Sequence, residues 1–159
     1  MSIREKIARV ILVLLTAAVP GGVWFYQQVV LPGNYPDQAR VVNLTGMAST
    51  GKWTRESVSG WNYWWKEFPR CDTLVFQAGT PIVLRVTSAD VLHSFALPGV
   101  QKFRQPVDIP AGQWKTFLWT PADPQRQLFL CWQVCSPNHD NMRGVIEITG
   151  KKQQFERGG

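Results

Sequence analysis

The sequence predicts an all-β sandwich carried behind a single N-terminal transmembrane helix. Three observations lead there. One long uncharged stretch lies near the start, and short β-type runs alternate with turn signals after it. Past residue 36, no run of ten or more residues shows a helical period. The chain has 159 residues, enough for one ordinary domain and too few for a multidomain enzyme with its own large substrate cavity.

From Val10 to Tyr35 there is no charged residue, and the heart of this stretch covers 10–31. At about 1.5 Å of rise per residue, roughly 20 residues cross the hydrocarbon core, so the length suffices. Arg4, Lys6 and Arg9 precede it, which predicts a cytoplasmic N-terminus, and Trp24, Phe25 and Tyr26 suit an outer aromatic belt. Pro20, Gly21 and Gly22 are expected to kink or weaken the helix. A cleaved signal peptide shares the basic start. However, no small-x-small site follows Val19, and the apolar stretch continues past the proline. Either way the remainder is delivered to the periplasm or its equivalent.

Residues 1–33 are therefore read as cytoplasmic stub and membrane helix, 34–150 as a periplasmic domain, and 151–159 as a polar tail. The segment Leu31-Pro32-Gly33-Asn34-Tyr35-Pro36 is a Pro/Gly linker. Strands are predicted at 40–44, 61–66, 73–77, 81–87, 114–119, 127–131 and 144–149. Turn signals such as Ala78-Gly79-Thr80-Pro81 and Pro110-Ala111-Gly112 separate them. Strands this short and this many point to an antiparallel sandwich or barrel.

Seventeen basic residues against eleven acidic ones give a net charge of +6. The excess forms no single basic stripe, so no nucleic-acid partner is expected. Three cysteines are too few, and odd in number, for a disulfide scaffold.

Chemistry gathers in one place. The run from Cys131 to Met142 holds two thiols, one imidazole (His139) and one thioether, and His93 is the only other histidine. Thiolate and thioether select soft metals, and imidazole suits copper as well. His93, Cys135, His139 and Met142 alone would make a single blue-copper site. Cys131 is left over. Two thiolates four residues apart can instead bridge two copper ions, each taking one histidine, with Met142 completing one and a backbone carbonyl the other. The spacing leaves open a local Cys131–Cys135 disulfide, and zinc fits Cys and His but not Met.

The pattern Cys131-x-x-x-Cys135-x-x-x-His139-x-x-Met142, with Asp90-Val91-Leu92-His93-Ser94-Phe95 upstream, resembles the CuA domain of cytochrome c oxidase subunit II. The resemblance runs from about residue 61 to 149. It implies a cupredoxin, a Greek-key β-sandwich, and a binuclear copper centre. Cys131 and Cys135 would bridge, His93 and His139 would be terminal ligands, Met142 the weak ligand, and Gln133 would offer its backbone carbonyl. Asp90 matches the acidic residue before the family's first histidine and is expected to orient it or order its loop. The aromatic run Trp61 to Phe68 is similar to the stretch through which the family receives electrons. That role is expected of Tyr63 or Trp64, with Trp132 also at the docking surface. Cys71 is read as a buried free thiol.

The resemblance further implies an electron-transfer subunit that is not itself catalytic. It would pass electrons from a periplasmic cytochrome c or small copper protein to a haem in a large haem-copper subunit I that reduces dioxygen to water. The same role in a nitric oxide reductase, or a membrane-tethered copper carrier, are the alternatives. Three departures stand out. Gln133 replaces the usual Glu, which puts in doubt the carboxylate contact that the family makes to an interface magnesium. Ser136-Pro137 replaces a common Gly, and one membrane helix stands where many members have two; one helix together with Gln133 resembles the B-type oxidases and some copper-containing nitric oxide reductases.

Overall fold

A computed structural model describes residues 3–26 and 35–150. The chain divides into two compact units, Met1–Pro36 and Asp37–Gly159. In the first, helix α1 runs Ile3–Phe25. It starts earlier than expected and continues through Pro20, so the Pro-Gly-Gly run does not end it. The span Ile3–Val23 is long and apolar enough to cross a membrane. Most of the predicted linker, 31–34, and the tail 151–159 lie outside the described residues.

In the second unit the described residues form nine strands. These are β1 (Arg40–Met47), β2 (Lys52–Thr54), β3 (Thr73–Gln77), β4 (Ile82–Ser88) and β5 (His93–Ala96), followed by β6 (Val107–Ile109), β7 (Lys115–Trp119), β8 (Gln125–Cys131) and β9 (Arg143–Thr149). One sheet has the order β2-β1-β4-β7 and the other β3-β9-β8-β5-β6. The sandwich is therefore as predicted, but it is not purely antiparallel. β1 lies parallel to β4, and β3 lies parallel to β9. Both pairs arise because the chain changes sheet between them: β3, which precedes β4, belongs to the other sheet from β1 and β4. A crossover delivers the returning strand in the same direction, where a hairpin would reverse it.

The predicted strand at 61–66 is absent. The segment coils into turns, with the Tyr63 amide on the Ser59 carbonyl at 3.0 Å and the Lys66 amide on Asn62 at 3.0 Å. The Asn62 side chain accepts from the Ser59 amide at 2.8 Å and donates to the Ser57 carbonyl at 3.1 Å. Local side-chain bonds of Ser and Asn offer the backbone an alternative to a ladder, and here they override the β-preference of Trp and Tyr. Three strands escaped the sequence reading: β2, β5 and β6 have three or four residues each, too few for alternation to register.

A cluster of aromatic rings lies within the otherwise aliphatic core between the sheets. Phe95 is fully buried and packs against Trp53, Phe117 and Phe129 at ring-centre distances of 5.4, 4.9 and 6.0 Å. Strand alternation then sets the next layer. On β8, Gln127, Phe129 and Cys131 point inward, so the thiol of Cys131 sits where the aromatic core ends. The register pairs Phe95 with Cys131 across β5 and β8. Phe95→Ala should cost about 3–5 kcal/mol of stability; a urea midpoint unchanged from the parent chain would contradict this account of the core.

Candidate metal centre

β8 and β9 are antiparallel neighbours, paired from Gln125↔Ile148 to Leu130↔Arg143. The segment 132–142 that joins them therefore has to return to its starting point. The Cys131 amide donates to the Met142 carbonyl at 2.9 Å and closes the loop at its base. A turn over His139–Asn141 brings the chain back, with the Met142 amide on the His139 carbonyl at 2.8 Å. His93 arrives from the other side, as the first residue of β5.

These elements bring His93, Cys131 and Cys135 together with their ligand atoms all within 4.8 Å of one another. The two sulfurs stand 4.0 Å apart and both thiols are free. Each has its own imidazole: His93 Nδ1 is 3.8 Å from Cys131 and His139 Nδ1 is 3.8 Å from Cys135. The Met142 sulfur lies 3.5 Å from Cys135, and the Gln133 backbone oxygen lies 3.3 Å from Cys131. All six sequence-predicted ligand positions thus converge. The donor set of thiol, imidazole and thioether fits a soft or borderline metal, and the thioether favours copper over zinc.

Asp90 is bonded to one of these six positions, His93. Its Oδ1 lies 3.1 Å from His93 Nε2 and also accepts from the Val91 amide at 2.8 Å. Its Oδ2 accepts from the Ala48 amide at 2.7 Å and from the Tyr63 hydroxyl at 3.0 Å. With Nε2 donating to a carboxylate, the lone pair of neutral His93 falls on Nδ1, the nitrogen that faces Cys131. Burial by itself opposes a charge on Asp90, but the bonds from His93, Val91, Tyr63 and Ser49 hold its pKa down at about 2. Burial likewise opposes a charge on His93, yet Asp90 and Cys131 raise it to about 9. For Cys131, burial disfavours the thiolate, and the adjacent His93 outweighs it and lowers the pKa. Burial and then the neighbouring Cys131 push Cys135 up to about 11. The shifts of His93 and Cys131 thus have a shared cause, the contact of 3.8 Å between His93 Nδ1 and the Cys131 sulfur.

The chain resembles subunit 2 of the haem-copper oxidases. It is 33% identical over 70 residues to cytochrome c oxidase subunit 2 of Thermus thermophilus, a match covering 44% of this chain and 50% of that protein. It is 31% identical over 84 residues to heme-copper oxidase subunit 2 of Aeropyrum pernix, covering 52% and 35%. The matches thus span half or less of the curated relatives' length. No family model matches the chain. Among solved structures, a chain of a heme-copper terminal oxidase dimer is 13% identical, with a TM-score of 0.51, covering 92% of this chain and 99% of that one. The copper protein rusticyanin is 14% identical with a TM-score of 0.50, covering 72% and 80%. At these identities the likeness is one of fold, and that fold is the cupredoxin sandwich.

Of the expected surface residues, Trp64 is exposed and packs edge-on against Tyr63 at 5.0 Å. Tyr63 is half-buried and bonds to Ser49 at 2.6 Å as well as to Asp90. Trp132 is exposed on the 132–142 loop. Cys71 is a buried free thiol, and burial raises it to about 11.

Two supports escaped the sequence reading, because nothing in their spacing marks them. Trp53 donates from Nε1 to the Met142 carbonyl at 3.1 Å and packs its ring 5.6 Å from His93. Gly46 on β1 leaves room for that ring. A Cβ there would come within 2.8 Å of both His93 Cδ2 and Trp53 Cζ3. Both rings are buried and rigid, so Gly46→Ala should destabilise the metal-free chain by about 1–3 kcal/mol through overpacking. Equilibrium denaturation reads this directly, and an unchanged midpoint would mean that the rings give way freely.

Proposed function

We propose that this chain is the membrane-anchored electron-transfer subunit of a haem-copper oxidase, with a binuclear CuA centre. The observation that carries the reading is the paired arrangement of the donors: two thiols 4.0 Å apart, each with one imidazole nitrogen 3.8 Å away. In a one-metal site Cys131 would be surplus, whereas here it has its own histidine. Cys131, Cys135, His93, His139, Met142 and the Gln133 carbonyl would hold the two coppers, the two thiolates being shared between them and one histidine serving each. When bound, the two coppers would accept and release one electron with the charge change spread over both.

The protein's own part is to hold the donors still. Asp90 keeps the His93 tautomer and orientation, and the β8–β9 closure fixes the loop ends, so the ligands need to move little as the charge changes. Trp64 receives electrons, with Tyr63 behind it and bonded to Asp90, which is bonded to His93. Trp132 and Val134, both exposed on the loop, extend an apolar docking surface. Basic residues outnumber acidic ones, so a cytochrome c or small copper protein of acidic or neutral surface is the fitting donor.

The acceptor is a haem in a large catalytic subunit that reduces dioxygen to water. Residues 1–33 form the cytoplasmic stub and single-pass inner-membrane anchor, 34–150 the periplasmic copper domain, and 151–159 a polar tail. Arg4, Lys6 and Arg9 set the orientation by the positive-inside rule.

Electron paramagnetic resonance on the copper-loaded chain in detergent tests this. Hyperfine structure from an electron shared over two equivalent copper nuclei is expected, and a single-copper pattern would make the protein a tethered blue-copper carrier instead. Cys131→Ser should convert the signal to that of one copper, since His93, Cys135, His139 and Met142 remain. If the variant kept a two-copper spectrum, Cys131 would not be a bridge. Gln133→Ala should retain both coppers because only its backbone is used; copper loss would assign the role to the side chain. Turnover of dioxygen, and not of nitric oxide, by the co-purified partner is the expected reaction.

A further inference from the structure

Arg70 stands outside the ligand set, yet its guanidinium joins two loops at the metal end of the sandwich. Nη1 donates to the Asn141 carbonyl at 2.8 Å, Nη2 donates to the Gly51 carbonyl at 3.2 Å, and Nε is 3.8 Å from Asp72 Oδ1. Asn141 ends the turn that begins at His139, and its carbonyl belongs to the peptide leading into Met142. Gly51 lies in the turn between β1 and β2 and has a φ of +58°. A Cβ on Gly51 would come within 3.0 Å of the Asn138 carbonyl carbon and closer still to the Asn138 oxygen and Cβ. The β1–β2 turn and the start of the His139 turn are therefore in direct contact, and Arg70 pins them from one side.

Arg70 is itself well placed to pin. The residues around it are tied down by the Cys71 amide on the Trp53 carbonyl at 2.7 Å and by Lys52 Nζ on the Phe68 carbonyl at 2.6 Å. On the far side, the Val145 amide holds the Asp72 carbonyl at 2.8 Å. A guanidinium offers several donors in a rigid plane and can serve both carbonyls at once; an ammonium is a single point charge on a flexible stem.

We propose that Arg70 is a positioning residue for the His139–Met142 half of the centre, holding the 139–141 turn against the β1–β2 turn so that both side chains keep their approach to Cys135. This role rests on the copper reading above. Trp53 touches both halves, but the His93 half has its own support in Asp90, and the bonds of Arg70 fall on the His139–Met142 side and the β1–β2 turn alone. That asymmetry separates it from a residue that merely stabilises the fold.

The test compares the full chain in detergent with Arg70→Gln and Arg70→Lys. In the metal-free proteins, hydrogen exchange of the 139–142 amides should speed up in Arg70→Gln while the Trp132 amide, bonded to Ser94, stays protected. In the copper-loaded proteins, Arg70→Gln should surrender copper to a chelator about tenfold faster or more. One of the two sets of histidine nitrogen couplings should change while the other holds. Arg70→Lys, reaching one carbonyl, should fall between. Unchanged exchange and couplings would overturn the role, as would equal changes in both histidine sets or uniform exchange in step with a lower melting temperature. A parent chain that takes up fewer than two coppers overturns the copper reading itself, whereas normal loading with no Arg70 effect overturns only this inference.

Discussion

The Asp90 carboxylate ties three parts of the chain together at the metal end. One oxygen takes the proton of His93 and the Val91 amide, and the other takes the Ala48 amide and the Tyr63 hydroxyl. Its side chain is only 14% exposed, so an ionised carboxylate there has to be fully hydrogen-bonded. Each bond that meets this need also positions something. His93 receives its tautomer, the end of β1 is drawn in beside the site, and the 57–66 turns are held near it despite carrying three exposed tryptophans. Without the carboxylate, His93 would remain buried with one ring nitrogen unmatched, a cost of about 1–3 kcal/mol before any metal binds.

The sandwich supplies the complementary constraint. A hydrophobic core of aliphatic side chains around a cluster of aromatic rings specifies the spacing of the two sheets, and the thiol of Cys131 continues the inward face of β8 beyond Phe129. Because β8 and β9 are neighbours in one sheet, the loop between them is closed at its base by the Cys131–Met142 bond. First and last ligands of the segment are thereby locked together. Within the loop, successive turns from Ser136 to Met142 carry the chain back. Rigid strands under a short, closed loop suit the proposed centre, whose ligands would have to hold position while charge comes and goes.

Much of this was legible in the residues. Cys131, Cys135, His139 and Met142 lie within twelve positions, and their types already restricted the metal to a soft or borderline one. Period-two alternation located the longer strands to within two or three residues at either end. It failed where strands were too short to alternate, as in β5, which carries His93. It also misread 61–66, where aromatic residues with high β-propensity were captured by Ser and Asn side-chain bonds. Parallel pairing of β1 with β4 was invisible because strand direction depends on which sheet the chain enters next.

What the sequence determined by itself was therefore local: an apolar span, the length and period of strands, and the chemistry of a ligand-rich segment. These depend on neighbours a few residues apart. Tertiary structure alone decided the convergence of groups far apart in the chain. It brought His93 to Cys131, Asp90 to the Ala48 and Ser49 amides, Trp53 to the Met142 carbonyl, and Arg70 to Asn141 and Gly51. It also left no room for a Cβ at Gly46, since the space one would need is already taken by two rings from other strands. No spacing rule encodes such contacts, because they depend on where the crossovers between sheets set each strand.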